Sequence, residues 1–157
     1  AHVEGWQWRT DMHWFDNLKS VRSVSYYVQQ LHTHNKGTNV VPLTMNNKPV
    51  TGAEGQKGFF ASAVWDKDSQ SYIVKVVNTS DEAQPLSLTF AGMKKKEVLS
   101  KGLCIKLQST DPDKDNTLDN PQAIVPVQTE VSAMGNAFDT QIEPKTFAIY
   151  KFVKTTK

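Results

Sequence analysis

The run Gly58-Phe-Phe-Ala-Ser-Ala-Val-Trp65, the polar link Asp66-Lys-Asp-Ser-Gln-Ser71 and the run Tyr72-Ile-Val-Lys-Val-Val-Asn78 carry the fold class of this chain. Phe59, Ala61, Ala63 and Trp65 alternate with Phe60, Ser62 and Val64, as they do when an extended backbone points successive side chains to opposite faces. The link between the runs reads as a hairpin connection. The same period of two returns at Leu86–Phe90 and Leu103–Leu107, and Ala123–Val131 and Lys145–Val153 complete the set of predicted strands. Short strands punctuated by turn residues predict an all-β sandwich or barrel.

Upstream of Thr38 the pattern changes. Val24, Tyr27, Val28 and Leu31 stand at i, i+3, i+4 and i+7, one face of a 3.6-residue repeat, which predicts a helix over 23–35. Ser23 suits the N-cap, Gly37 the C′ position, and His32 and His34 the negative end of the helix dipole. An all-β domain has no need of this helix, so its apolar face must cover either an open sheet or part of a preceding α/β domain. The chain opens Ala1-His-Val-Glu-Gly-Trp6, with no initiator Met and no leader pattern, and is expected to be a piece of a longer protein.

Composition narrows the function. The 157 residues carry 18 Lys+Arg against 16 Asp+Glu, a balance that gives no reason to expect nucleic acid or an anionic membrane as partner. One cysteine, Cys104, excludes an intrachain disulfide and a multi-cysteine zinc site. No apolar run reaches the roughly 18–20 residues of a membrane-spanning helix.

The segment from Glu4 to Asn17 interleaves Trp6, Trp8, Trp14 and Phe15 with Arg9, Asp11 and Asp16. These are residue types that sugars select: rings stack on C–H faces, and charged groups bond hydroxyls. Packing at a domain boundary is the competing reading, since large aromatics are more often buried. Asp111, Asp113, Asp115 and Asp119 have the spacing of a calcium loop, but Asn116 stands where the turn needs Gly and Gln122 where a bidentate Glu belongs, which favours a loop capped by its own side chains. Lys94–Lys96 with Lys101 reads as a solvated edge, Asn78-Thr79-Ser80 matches a glycosylation sequon by pattern alone, and His32 and His34 point different ways on a helix. No nucleophile and base pair emerges, and Glu4, Asp11 and Asp16 have no spacing that assigns them acid or nucleophile roles. No metal and no cofactor are expected.

The ordered set His2-to-Asn17, Ser25-Tyr-Tyr-Val-Gln-Gln-Leu31, Asn35-Lys-Gly37, Ile73–Asn78, Leu107–Ser109, Asn116–Pro121, Val125–Val127 and Lys145–Tyr150 resembles the C-terminal part of the α-L-arabinofuranosidases of glycoside hydrolase family 51. The resemblance implies a jelly-roll-like β-sandwich over 38–157. Residues 1–37 would then be a remnant of the last unit of a (β/α)8 barrel, with an apolar helix face made for barrel strands. It implies that both catalytic glutamates lie upstream, so the chain alone is inactive and supports the parent's own catalytic barrel. The parent would release terminal arabinofuranosyl groups from arabinan and arabinoxylan, acting in the periplasm or outside the cell. By the same resemblance Trp8 and Asp11, with Trp6 and Arg9 beside them, would border the arabinose pocket. A carbohydrate-binding module using Trp65, Tyr72 or the 6–14 cluster is the alternative, and an unrelated interaction domain a third.

Overall fold

The computed structural model describes residues 12–16, 18–52, 56–111 and 113–156. The strands are β1 (His13–Phe15), β2 (Ser20–Arg22), β3 (Asn39–Val40), β4 (Thr44–Met45), β5 (Lys48–Pro49), β6 (Phe59–Asp66), β7 (Ser71–Asn78), β8 (Gln84–Thr89), β9 (Glu97–Gln108), β10 (Val127–Ser132), β11 (Ala137–Ile142) and β12 (Thr146–Thr156). Helix α1 spans Val24–His34. Six strands form one antiparallel sheet in the order β10-β9-β12-β7-β6-β3. A second, two-stranded sheet, β11-β8, faces it, and β1-β2 and β4-β5 form small hairpins. The expected β-sandwich preceded by one helix is present, with layers of unequal width.

The β6–β7 hairpin pairs Phe59 with Asn78 through to Asp66 with Ser71. Phe59, Ala61 and Ala63 face inward with Val74 and Val76 of β7, Cys104 of β9 and Ala148, Tyr150 and Phe152 of β12. Leu86 of β8 and Phe138 and Ile142 of β11 close this core from the opposite layer. Each large apolar side chain buried here contributes on the order of 1.5–3 kcal/mol. Phe152 lies against Gly102, where an added Cβ would sit 2.5 Å from its ring.

The opposite face of the wide sheet is apolar too. Ile73, Ile105, Leu107, Phe147 and Ile149 form a second cluster with Ile124 and with Leu31 of the helix. Val24, Tyr27 and Val28 pack on that cluster. The helix face expected to await barrel strands therefore lies on the sandwich's own outer surface. Coverage on both sides explains why Thr146–Tyr150 is buried without interruption and why Tyr72–Val77 reads as a nearly continuous apolar run.

The helix caps differ in part from expectation. The Ser23 hydroxyl accepts from the Tyr26 N–H at 3.2 Å, as an N-cap should. At the other end Asn35 is the C-cap, and its side-chain amide donates to the Leu31 carbonyl at 2.9 Å. Gly37 is not a C′ residue in the left-handed region; an added Cβ there would lie 2.6 Å from Val64 Cβ and 2.7 Å from the Trp65 carbonyl oxygen, so glycine is required by close approach to β6. Ala123–Pro126, expected as strand, is irregular, and β10 begins at Val127. Ile124 is nonetheless buried, plugged into the outer cluster.

Candidate functional site

Trp6, Trp8, Arg9 and Asp11 lie outside the described residues. Their nearest described neighbour is Met12. The Ser23 N–H and hydroxyl both donate to the Met12 carbonyl, at 3.1 and 3.3 Å, closing the base of the β1–β2 hairpin. At the hairpin tip Asp16 accepts from the N–H groups of Leu18 and Lys19 at 2.9 and 2.8 Å. Those two bonds hold its carboxyl below the usual range, so it is a turn carboxylate and not a proton donor. His13 meets Tyr26 edge-on with ring centroids 4.6 Å apart, Arg22 sits 5.1 Å over the Tyr26 ring, and Tyr26 meets Tyr27 at 5.6 Å. Of the aromatics and charges that carried the sequence signal, Trp14, Phe15 and Asp16 are described: Trp14 and Phe15 lie half-buried in β1, and Asp16 caps the turn that follows.

The acidic loop turns out to serve the helix. Asp115 accepts from the Val24 N–H at 3.0 Å and from the Asn116 N–H at 2.8 Å. Asn116, only 1% exposed, donates to the carbonyls of Arg22 at 2.9 Å and Ile124 at 2.8 Å and accepts from the Ile124 N–H at 2.7 Å. Asp111 accepts from the Asp113 N–H at 3.0 Å in a local Asx turn. Among the described residues no group of three His, Cys, Asp or Glu side chains stands close enough to hold a metal ion.

Trp65 and Tyr72, the sandwich aromatics considered for sugar stacking, face each other across β6 and β7 with centroids 4.6 Å apart. Lys154 Nζ lies 5.0 Å over the Trp65 ring and is itself paired to Glu97 at 3.0 Å. Tyr72 continues inward to Phe90, which meets Phe152. Trp65 is therefore engaged by a tilted ring and a cation, an arrangement that stabilises the β6–β7 end.

The remaining motifs resolve into structure. Asn78 is fully buried, and its amide reaches the carbonyls of Glu82, Ile142 and Glu143 at 2.8, 3.1 and 3.1 Å; the sequon asparagine is a corner brace. His32 stacks on Phe147 at 5.1 Å and its Nδ1 stands 3.3 Å from Lys75 Nζ. Burial, then the Lys75 charge, lowers the His32 pKa, and burial lowers that of Lys75. The two line a mainly aliphatic groove of about 500 Å³ beside the helix, with Val41, Leu43, Phe60 and Val64. Glu97 and Asp66 are held below the usual carboxylate range, the first by the Lys94 N–H and Lys154, the second by the Ser69 hydroxyl. A general acid needs the opposite shift.

Comparison with known proteins adds the context these residues lack. A family model described as the alpha-L-arabinofuranosidase C-terminal domain matches residues 2–145. A probable alpha-L-arabinofuranosidase A of Aspergillus terreus is 26% identical over 151 residues, covering 94% of this chain and 21% of the relative. An extracellular exo-alpha-L-arabinofuranosidase of Streptomyces chartreusis is 36% identical over 91 residues, 55% of this chain and 10% of the relative. An arabinose-bound GH51 α-L-arabinofuranosidase superposes with a TM-score of 0.78 at 24% identity over 96% of this chain and 22% of its own. The Thermotoga maritima enzyme in an arabinose complex gives 0.70 at 16% identity over 92% of this chain and 31% of its own. The chain thus spans a tenth to a fifth of the length of these two curated relatives.

Proposed function

This chain belongs to the α-L-arabinofuranosidase C-terminal domain family, and we propose that it is the non-catalytic C-terminal part of a longer enzyme whose (β/α)8 barrel it braces. On this reading residues 1–37 are the last unit of that barrel and 38–157 the supporting sandwich. The parent removes terminal α-L-arabinofuranosyl groups from arabinan and arabinoxylan with retention, through two glutamates upstream of this chain. Trp8 and Asp11, flanked by Trp6 and Arg9, border its arabinose pocket, since barrel active sites are built from the loops that follow the strands. The Streptomyces relative's name supports action outside the cell. No helix among the described residues is long and apolar enough to cross a membrane.

The single observation that carries the proposal is the seat of α1. Its apolar face shares one hydrophobic cluster with the outer face of the wide sheet, so whatever is joined to the helix is held by the sandwich. Among the described residues the carboxylates with perturbed acidity, Asp16, Asp66 and Glu97, are all lowered and engaged in turns or an ion pair. The test is hydrolysis of p-nitrophenyl α-L-arabinofuranoside by the purified 157-residue chain. No turnover above buffer is expected; clear turnover, lost when Glu4 is replaced by Gln, would overturn the reading.

A further inference from the structure

We infer that Asp115 and Asn116 are positioning residues: from the loop between β9 and β10 they lock the start of α1 and the β1–β2 hairpin, and so set the position of Met12, to which residues 1–11 are joined. The loop that carries them lies between β9 and β10, remote in sequence from the helix. Its two side chains nonetheless hold consecutive backbone positions around Ser23. Asn116 holds the Arg22 carbonyl, and Asp115 holds the Val24 N–H. Ser23 between them is 2% exposed and holds the Met12 carbonyl through both its N–H and its hydroxyl.

The arrangement is asymmetric in a way that suits a strut. Asn116 is sealed from water, with both its amide donors and its acceptor oxygen used, and its other partner is Ile124, which plugs the outer cluster. The amide is thereby rigid relative to the sheet, and the Arg22 carbonyl is referenced to it. Asp115 supplies a charged acceptor to a first-turn N–H, which has no partner within the helix; this places a negative charge at the positive end of the helix dipole. A carboxylate accepting a backbone N–H makes a stronger, shorter bond than a neutral acceptor. The hairpin itself has only three-residue strands and could not fix its own orientation.

The consequence for sugar rests on the proposed function, because it assumes that Trp8 and Asp11 face arabinose in the parent. The strut does not. In the 157-residue chain, Asp115→Ala is expected to speed amide exchange of Val24 and of β2 at least tenfold while leaving Val76 and Ile149 unchanged, and Asp115→Asn, which keeps an acceptor oxygen, to restore most of the protection. Unchanged exchange at Val24, or an equal rise throughout β7 and β12, would overturn the inference. A scalar coupling across the hydrogen bond, from the Val24 amide nitrogen to the Asp115 side-chain carbon in the unaltered chain, tests the contact even should the alanine variant not fold; its absence counts against the strut. In the full-length enzyme Asp115→Ala should raise KM for the aryl arabinofuranoside severalfold with kcat nearly kept, and Asp115→Asn should reverse it. An unchanged KM would refute the link to the sugar segment, whereas a full-length protein inactive on every arabinofuranoside would refute the proposed function and leave the exchange result standing.

Discussion

Single residues in this chain show how a polar atom is either partnered or costly. The Tyr150 hydroxyl is buried beside the Cys104 thiol and the Thr140 hydroxyl without a well-formed hydrogen bond to either, and burial, then the Cys104 thiol, pushes its phenol well above the ordinary value. Desolvating a hydroxyl without compensation costs on the order of 1–3 kcal/mol, so Tyr150→Phe is expected to be neutral or to stabilise by about 1 kcal/mol in urea unfolding. Asn78 is the opposite case: Asn78→Ala removes the donor shared by the carbonyls of Glu82, Ile142 and Glu143 and the acceptor used by the Ser80 N–H and hydroxyl, and should cost about 2–3 kcal/mol by the same measurement. His32 gives a pH signature. Its folded-state pKa lies below the free value of 6.5, so the folded chain holds that proton less tightly than the unfolded one. Its contribution to stability is therefore complete above pH 6.5 and is lost as the pH falls through that value toward the folded pKa. The urea midpoint of the unaltered chain should drop more between pH 7.5 and 5 than that of His32→Gln; parallel drops would contradict the assignment.

At the scale of elements, α1 binds through a narrow contact. Leu31 is its one fully buried side chain. Leu31→Ala should cost about 2–4 kcal/mol, the range for emptying a leucine site, and an effect under about 1 kcal/mol would mean the helix is not seated on the sheet. Much of this level was legible in the sequence. The 3.6-residue repeat and Ser23 located the helix, and the strand patterns located β6, β7, β8 and β12 within a few residues, whereas only the second half of β9, Leu103–Leu107, was read as strand. Alternation gives the faces of a strand but not its neighbours, so the engagement of Trp65 by Tyr72 and Lys154 was hidden. Strand β11 was missed although Phe138, Thr140 and Ile142 alternate between Gly135-Asn136 and Glu143-Pro144. The two-residue strands β3, β4 and β5 are too short for any period; only the turn at Asn46 and Asn47, both with positive φ, could have marked the last two as a hairpin. The expectation that the acidic loop is capped by its own side chains holds for Asp111 and Asp115, which accept from the Asp113 and Asn116 N–H groups, but a further partner of Asp115, Val24, lies 91 residues away, beyond any spacing rule.

As a whole molecule the chain is a wide sheet covered on one side by two strands and on the other by a helix. That geometry makes the helix part of the sandwich's stability and makes the sandwich a clamp on whatever precedes the helix. Of the features that first suggested sugar or metal chemistry, Trp65 and Tyr72 pack on each other at the β6–β7 end and Asp115 holds the first N–H of α1. The account's central claim is that the chain supports, and lends one border to, an arabinose site that it cannot form by itself. Calorimetric titration of the purified 157-residue chain with arabinotriose tests it most directly. The account predicts no saturable heat at millimolar sugar. A saturable isotherm with one site per chain, abolished by Trp65→Ala or Tyr72→Ala, would contradict it and make the sandwich a carbohydrate-binding module.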